Sequence, residues 1–187
     1  HAEINAINSI KEEDKHLIPE STIYVSLEPC AHFGKTPPCA LKIKELGFKK
    51  VVIGAMDSHD KVNGKGKKII TDAGIDVTSR ILESECRQLN KRFFTYHERK
   101  RPFIILKWAQ SADGCMDKDF KPIQISNSLS KQFVHQMRSE EHAILIGKNT
   151  ALHDNPSLTV REVEGQNPIR ILIDFNLEVS KDSHIYN

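Results

Sequence analysis

Two rhythms of apolar residues run through the first half of the chain. Ile4, Ile7 and Ile10, with Ala6, fall on one side at helical spacing and predict a helix over 2–13. A polar stretch containing Pro19 follows at 15–21 and reads as a loop. Residues 22–27, Thr-Ile-Tyr-Val-Ser-Leu, are β-branched and apolar enough for a buried strand, which Glu28-Pro29 ends. Pro37-Pro38 then sets up a helix over 39–46 that Gly47 stops. Another buried strand is predicted at 50–55, a short helix within 64–74 and a short strand at 76–78. From 81 to about 96, Leu82, Cys86, Leu89 and Phe93 recur at helical spacing and predict one long helix with those residues on its buried side.

The charged stretch His97-Glu98-Arg99-Lys100-Arg101-Pro102 ends in proline, and a domain boundary is placed there, giving domains 1–98 and 99–187. Beyond it, 103–108 reads as a strand, 128–138 as a helix, 143–146 as a strand and 169–173 as another buried strand. Strands alternating with helices predict α/β architecture on both sides of the boundary. No internal repeat or low-complexity tract interrupts the pattern.

Composition changes this picture little. The 187 residues are 39% apolar and 28% charged, ordinary for a globular protein. A formal net charge of +2 is too small to argue for nucleic acid as a partner. No apolar run approaches the roughly 18 residues a membrane span needs, and no signal-peptide pattern is seen. Four cysteines, two of them at metal-like spacing, suit a reducing compartment better than a disulfide framework, so the cytoplasm is the expected location. A homo-oligomer is compatible with the chain.

Candidate chemistry sits in Leu27-Glu28-Pro29-Cys30-Ala31-His32-Phe33-Gly34-Lys35-Thr36-Pro37-Pro38-Cys39, read with His1-Ala2-Glu3. His1, Cys30 and Cys39 form a zinc ligand set, and three protein ligands leave one tetrahedral position for catalysis. Zinc-dependent base deaminases carry H-x-E followed by P-C-x-x-C, with the Glu off the metal. Here the second Cys follows the first by nine residues, not three. Glu3 is the expected proton shuttle, its bland alternative being a carboxylate stabilised by a helix N-terminus. Residues i and i+2 do not share a helix face, so His1 and Glu3 should meet the metal from the helix's first turn. Cys39, expected at a helix N-terminus, should favour the thiolate that zinc requires. Cys86 and Cys115 have no partner at metal spacing and read as small core or near-surface residues.

The segment E-P-C-x-H-x-G-x-T-P-P-C resembles the deaminase half of the bifunctional riboflavin-biosynthesis deaminase/reductase family. Downstream, 101–114 (R-P-F-I-I-L-K-W-A-Q-S-A-D-G) resembles that family's opening reductase strand. The segments 143–150 (A-I-L-I-G-K-N-T) and 154–161 (D-N-P-S-L-T-V-R) resemble its cofactor and substrate region. The resemblance implies a cytidine-deaminase-like three-layer domain followed by the start of a dihydrofolate-reductase-like α/β domain. It also implies Zn2+ and NADPH as cofactors and a phosphorylated pyrimidine as small-molecule substrate. The expected chemistry is hydrolytic deamination, then reduction of the ribosyl group to ribityl. Because the family has structure before the His1 position and after 173, the chain is expected to be an internal piece of a longer protein.

The same resemblance distributes roles. His32, Lys35 and Thr36, between the two Cys ligands, are expected to contact the ribose-phosphate end of the substrate. Lys107, set in an apolar strand where a buried ammonium needs a partner, is placed at the reductase substrate with Arg138, Leu158 and Arg161. Paired arginines suit a phosphorylated ligand. Ala109, Thr150 and Asp154 are placed against NADPH. Gln124 is a weaker cofactor candidate, because 122–126 lacks the Trp the family tends to have there. No G-x-G-x-x-G occurs, so nothing argues for a Rossmann dinucleotide site. Two rivals remain: a zinc deaminase acting on a nucleoside or RNA, and a binding module whose zinc is purely structural.

Overall fold

The computed structural model describes residues 1–60, 62–119, 121 and 123–187. Pro122, part of the segment compared for its missing Trp, lies outside the described residues. The chain divides into two compact units, His1–Ile105 and Leu106–Asn187.

The first unit is built on a three-stranded parallel sheet ordered β1 (Thr22–Leu27), β2 (Lys50–Ala55), β3 (Asp76–Ser79). β2 is paired on both edges and reads as an apolar run, as a central parallel strand must. Its Val51, Ile53 and Ala55 are fully buried. Helix α1 (Ala2–Asn8) precedes the sheet, α2 (Cys39–Leu46) joins β1 to β2, and α3 (Lys65–Thr71) joins β2 to β3. α2 stops where expected: Gly47 takes the left-handed conformation, φ 66°, and its N–H donates to the Ile43 carbonyl. Ile7, Ala40, Ile43, Val51, Ile53 and Ile70 meet in one core beneath the sheet. Truncating Ile53, which has no exposed surface, is expected to cost about 2–5 kcal/mol, read as a lowered midpoint in urea unfolding with unchanged slope.

Three predicted elements differ in the first unit. The opening helix ends at Asn8, and residues Glu12–Glu20 form a 3-10 turn containing Pro19 instead of helix followed by loop. The β1 strand is only half-buried, with Tyr24 facing out. The long helix over 81–96 is two helices, α4 (Glu83–Leu89) and α5 (Lys91–Arg99). The break falls at Asn90, whose backbone leaves the helical region (φ -98°, ψ 23°) and whose backbone N–H and side-chain amide both donate to the Cys86 carbonyl, at 3.1 and 2.9 Å. The predicted buried side shifts accordingly. Leu82 and Leu89 are exposed, and Phe94 is the residue α5 buries. The first half of the charged stretch placed at the domain boundary, 97–99, is the end of α5.

The second unit holds a two-stranded parallel sheet, β4 (Ala143–Gly147) beside β5 (Ile169–Ile173), with α6 (Ser128–Glu140) and α7 (Lys148–Asp154). Asn127 caps α6 by accepting the Ser130 N–H at 2.8 Å. The core is small: Ala151, Leu158, Val179 and Ile185, backed by Ile144, Ile146 and Leu172. β5 is not the buried strand its apolar run suggests. Its residues alternate, with Ile169, Ile171 and Ile173 exposed, because the structure covers one face of this sheet only. The strand expected at 103–108 does not form; no described segment pairs with it, and its side chains are mostly exposed. Among the described residues, no helix is long and apolar enough to cross a membrane.

Candidate metal centre and pocket

β1 ends at Leu27, and the turn Glu28-Pro29 carries the chain to Cys30 at the carboxyl end of the sheet, where open α/β sheets hold ligands. The chain then loops out and returns at Pro38, whose extended backbone starts α2 with Cys39 as its first residue. His1 stands at the N-cap of α1 with Glu3 in the first turn. Three separate elements therefore deliver His1, Cys30 and Cys39 to one point, their ligand atoms all within 4.8 Å of one another. Cys30 Sγ lies 3.7 Å from His1 Nδ1, and the Cys39 backbone N–H donates to Cys30 Sγ at 3.2 Å.

These residues fit zinc. Tetrahedral bonds of the usual Zn–S and Zn–N lengths put a sulfur and a nitrogen ligand about 3.6 Å apart, close to the observed separation. The donors are soft and basic, the set zinc prefers over magnesium or calcium. Burial pushes the Cys39 thiol up, and the Glu3 carboxylate and Cys30 beside it push it further. That crowding of groups that become negative on losing their protons is what a divalent cation relieves. Glu3, half-buried, sits against Cys39 with its carboxylate outside the ligand triad.

The centre opens on a pocket of about 710 Å³ in the first unit, lined by His1, Glu3 and Cys30 together with His32, Asp57, His59, Asn90, Phe93 and His97. The His59 and His97 rings meet edge-to-face at 4.6 Å, and the His32 ring stacks 6.1 Å from His59. Burial, then His59, holds the His97 imidazole below its usual range. Burial raises the Asp57 carboxyl, against the opposing effect of the His59 N–H that it accepts at 2.6 Å.

The structure brings together some of the expected site residues and not others. His1, Glu3, Cys30 and His32 share the pocket and Cys39 joins them through the metal triad, whereas Lys35 and Thr36 are exposed on the loop and do not line it. Asp57, His59, Asn90 and His97 were not anticipated. The only sequence signal for Asp57 and His59 is their place just past the carboxyl end of β2, and His97 falls in the charged stretch read as a boundary.

In the second unit, Arg138, Leu158 and Arg161 do come together. Arg138 donates to the Thr159 carbonyl at 2.6 Å, Arg161 to the Thr159 hydroxyl at 2.8 Å, and the Arg161 N–H donates to His135 Nδ1. Leu158 is buried in the adjoining core. Arg138 Nε is buried with no hydrogen-bond partner, and burial followed by Arg161 lowers the guanidinium's pKa. An orphaned buried donor beside a second guanidinium fits an anionic ligand, the class to which a phosphorylated substrate and NADPH both belong. Thr150 and Asp154 lie one turn apart on α7, both exposed. Ala109 and Gln124 lie in irregular backbone, where the Gln124 amide donates to the Ser126 carbonyl. Lys107 corrects the sequence reading: it is exposed on non-strand backbone, not buried in need of a partner.

Residues 1–55 match the cytidine and deoxycytidylate deaminase zinc-binding region, and residues 102–187 match the RibD C-terminal domain. The riboflavin biosynthesis protein RibD of Aquifex aeolicus is 41% identical over all of this chain and 52% of its own length. The solved diaminohydroxyphosphoribosylaminopyrimidine deaminase/5-amino-6-(5-phosphoribosylamino)uracil reductase of Thermotoga maritima superposes with a TM-score of 0.81 at 42% identity, over 88% of this chain and 47% of that one. RibD of Acinetobacter baumannii superposes with a TM-score of 0.87 at 33% identity, over 99% of this chain and 53% of that one. The chain thus spans about half the length of the relatives it matches.

Proposed function

This chain belongs to the RibD family of riboflavin-biosynthesis proteins, and from that premise we propose that it carries the deaminase centre and part of the reductase of such an enzyme. The observation that carries the reading is the convergence of His1, Cys30 and Cys39 beside Glu3 at the edge of one pocket. Residues 1–98 are assigned to deamination and 99–187 to reduction. The proposed substrate is the diaminohydroxyphosphoribosylaminopyrimidine named for the Thermotoga protein, whose ring amino group leaves as ammonia. The assignment is to a cytoplasmic enzyme of small molecules, with no nucleic acid partner.

Held by His1, Cys30 and Cys39, zinc would supply the Lewis acidity that brings the pKa of water to about 7. Glu3 takes one proton of the attacking water and passes it to the ring nitrogen, then takes the remaining proton of the added hydroxyl and gives it to the amino group, so that the C–N bond breaks, ammonia leaves and the ring carbonyl forms. His32 borders the space the ribose-phosphate arm occupies, with Lys35 and Thr36 on the same loop. For reduction, NADPH supplies the hydride. Arg138 and Arg161 hold the phosphorylated ligand against Leu158, with Lys107 toward the substrate and Ala109, Gln124, Thr150 and Asp154 toward the cofactor.

The test is ammonia release from that pyrimidine by the zinc-loaded full-length protein; a protein that holds zinc yet releases no ammonia overturns the deaminase reading. A second expectation concerns the ligands. Protons compete with zinc for two thiolates and an imidazole, so lowering the pH should release the metal in step with those protonations. A zinc-responsive dye would follow the release. Metal retained at strongly acidic pH would exclude this ligand set.

A further inference from the structure

Glu28 is 2% exposed, yet it is a carboxylate in the turn between β1 and Cys30. Its charge is met by backbone amides. One oxygen, Oε2, accepts from the Asp57 N–H at 3.3 Å and the Gly64 N–H at 2.9 Å, and the other, Oε1, accepts from the Lys67 N–H at 2.9 Å. Asp57 and Gly64 are the two ends of the loop that leaves β2, and Lys67 lies in the first turn of α3. A single side chain therefore closes that loop and fixes the start of the helix after it.

The approach is close. A Cβ on Gly66 would stand 1.9 Å from the Pro29 carbonyl oxygen and 3.3 Å from Glu28 Oε1, so only glycine lets α3 reach the turn. The clasped loop is also the element that presents Asp57 and His59 to the pocket, where His59 packs against His97. Cys30, two residues from Glu28, belongs to the metal triad. The turn that places a ligand and the loop that brings Asp57 and His59 to the pocket are thus joined through this carboxylate, alongside the Glu28 N–H that donates to the Ala55 carbonyl at 2.9 Å.

Glu28 also lines the pocket, with its carboxylate held by those three amides, and we propose that it is a positioning residue for substrate: it holds Asp57 and Gly64 in register with the metal-ligand turn, and so sets the affinity of the pocket through that loop. The proposal rests on the reading of this pocket as the deaminase site. A carboxylate suits the task because two oxygens can accept three amide N–H groups at once, which no neutral side chain of that size does.

The experiment compares Glu28→Ala and Glu28→Gln in the zinc-loaded full-length protein. The readouts are zinc content, amide hydrogen exchange, and steady-state deamination of diaminohydroxyphosphoribosylaminopyrimidine. Leaving a buried N–H unmet opens structure locally, so in Glu28→Ala the Asp57, Gly64 and Lys67 amides should exchange at least about tenfold faster while those of Val51 and Ile53 keep their protection. KM should rise by about tenfold or more, with kcat within about threefold and zinc stoichiometry unchanged. Glu28→Gln keeps the shape and part of the acceptor capacity, and should fall between Glu28→Ala and the parent. If Glu28→Ala does not fold, Glu28→Gln decides by the same readouts. An unchanged KM with the loop amides still protected overturns the proposal, as does a loss confined to zinc content and kcat. A parent protein that releases no ammonia removes the deaminase reading instead, while the exchange pattern still judges the clasp.

Discussion

Glu3→Gln should hold zinc at the parent level and lose deamination by about 10²–10⁴-fold, the usual contribution of a positioned general acid–base group. The substitution preserves the size of the side chain and its place in the first turn of α1, so His1 keeps its position beside it. What it removes is the ability to take up a proton and give it back. Glu3 faces the metal triad without belonging to it, so metal affinity and turnover should separate. Zinc measured by atomic absorption and ammonia measured by a coupled assay give the two numbers. Full turnover in this variant would take Glu3 out of the mechanism, and loss of zinc would make it a ligand or a support of one.

The parts legible in the sequence are those where local chemistry and tertiary packing agree. Thr22–Leu27, Cys39–Leu46, Lys50–Ala55 and Ile169–Ile173 fall at their predicted residues, because proline, glycine and apolar runs mark their ends without help from the rest of the chain. Burial was harder to read. The apolar run of β5 looks like a strand covered on both faces, but whether a face is covered depends on what packs there, and spacing along one strand does not carry that. The same limit explains 103–108: an apolar stretch becomes a strand only where a neighbour pairs with it.

The metal centre was legible for a different reason. Zinc demands particular atoms, and His, Cys and Cys beside H-x-E and P-C are few enough to pick out from a line of letters. The rest of the pocket lining makes no such demand. Asp57 and His59 lie in a loop whose course is set by amide bonds to Glu28, a contact across 29 residues at its nearer end. His97 reaches the pocket only because Asn90 ends α4 and redirects the chain into α5. Neither event has a period or a motif. Lys107 fails in the reverse sense: its apolar neighbours suggested burial, which the missing strand removes.

Cys39→Ser should strip zinc from the protein and take deamination with it, while leaving the first unit folded. Cys39 is fully buried and starts α2, so its backbone N–H to Cys30 Sγ and the helix it begins survive the exchange of sulfur for oxygen. The hydroxyl does not ionise in the neutral range and is a harder donor, so the triad is reduced to His1 and Cys30. Two ligands hold zinc far more weakly than three, because each thiolate supplies both charge and a strong bond. In contrast to Glu3→Gln, metal and turnover should therefore fall together. Circular dichroism would verify the fold, and zinc content after dialysis against a mild chelator would verify the loss. A Cys39→Ser protein that retains one zinc per chain and deaminates normally would mean that the metal is bound elsewhere, and the assignment of the pocket beside β1 would fall with it.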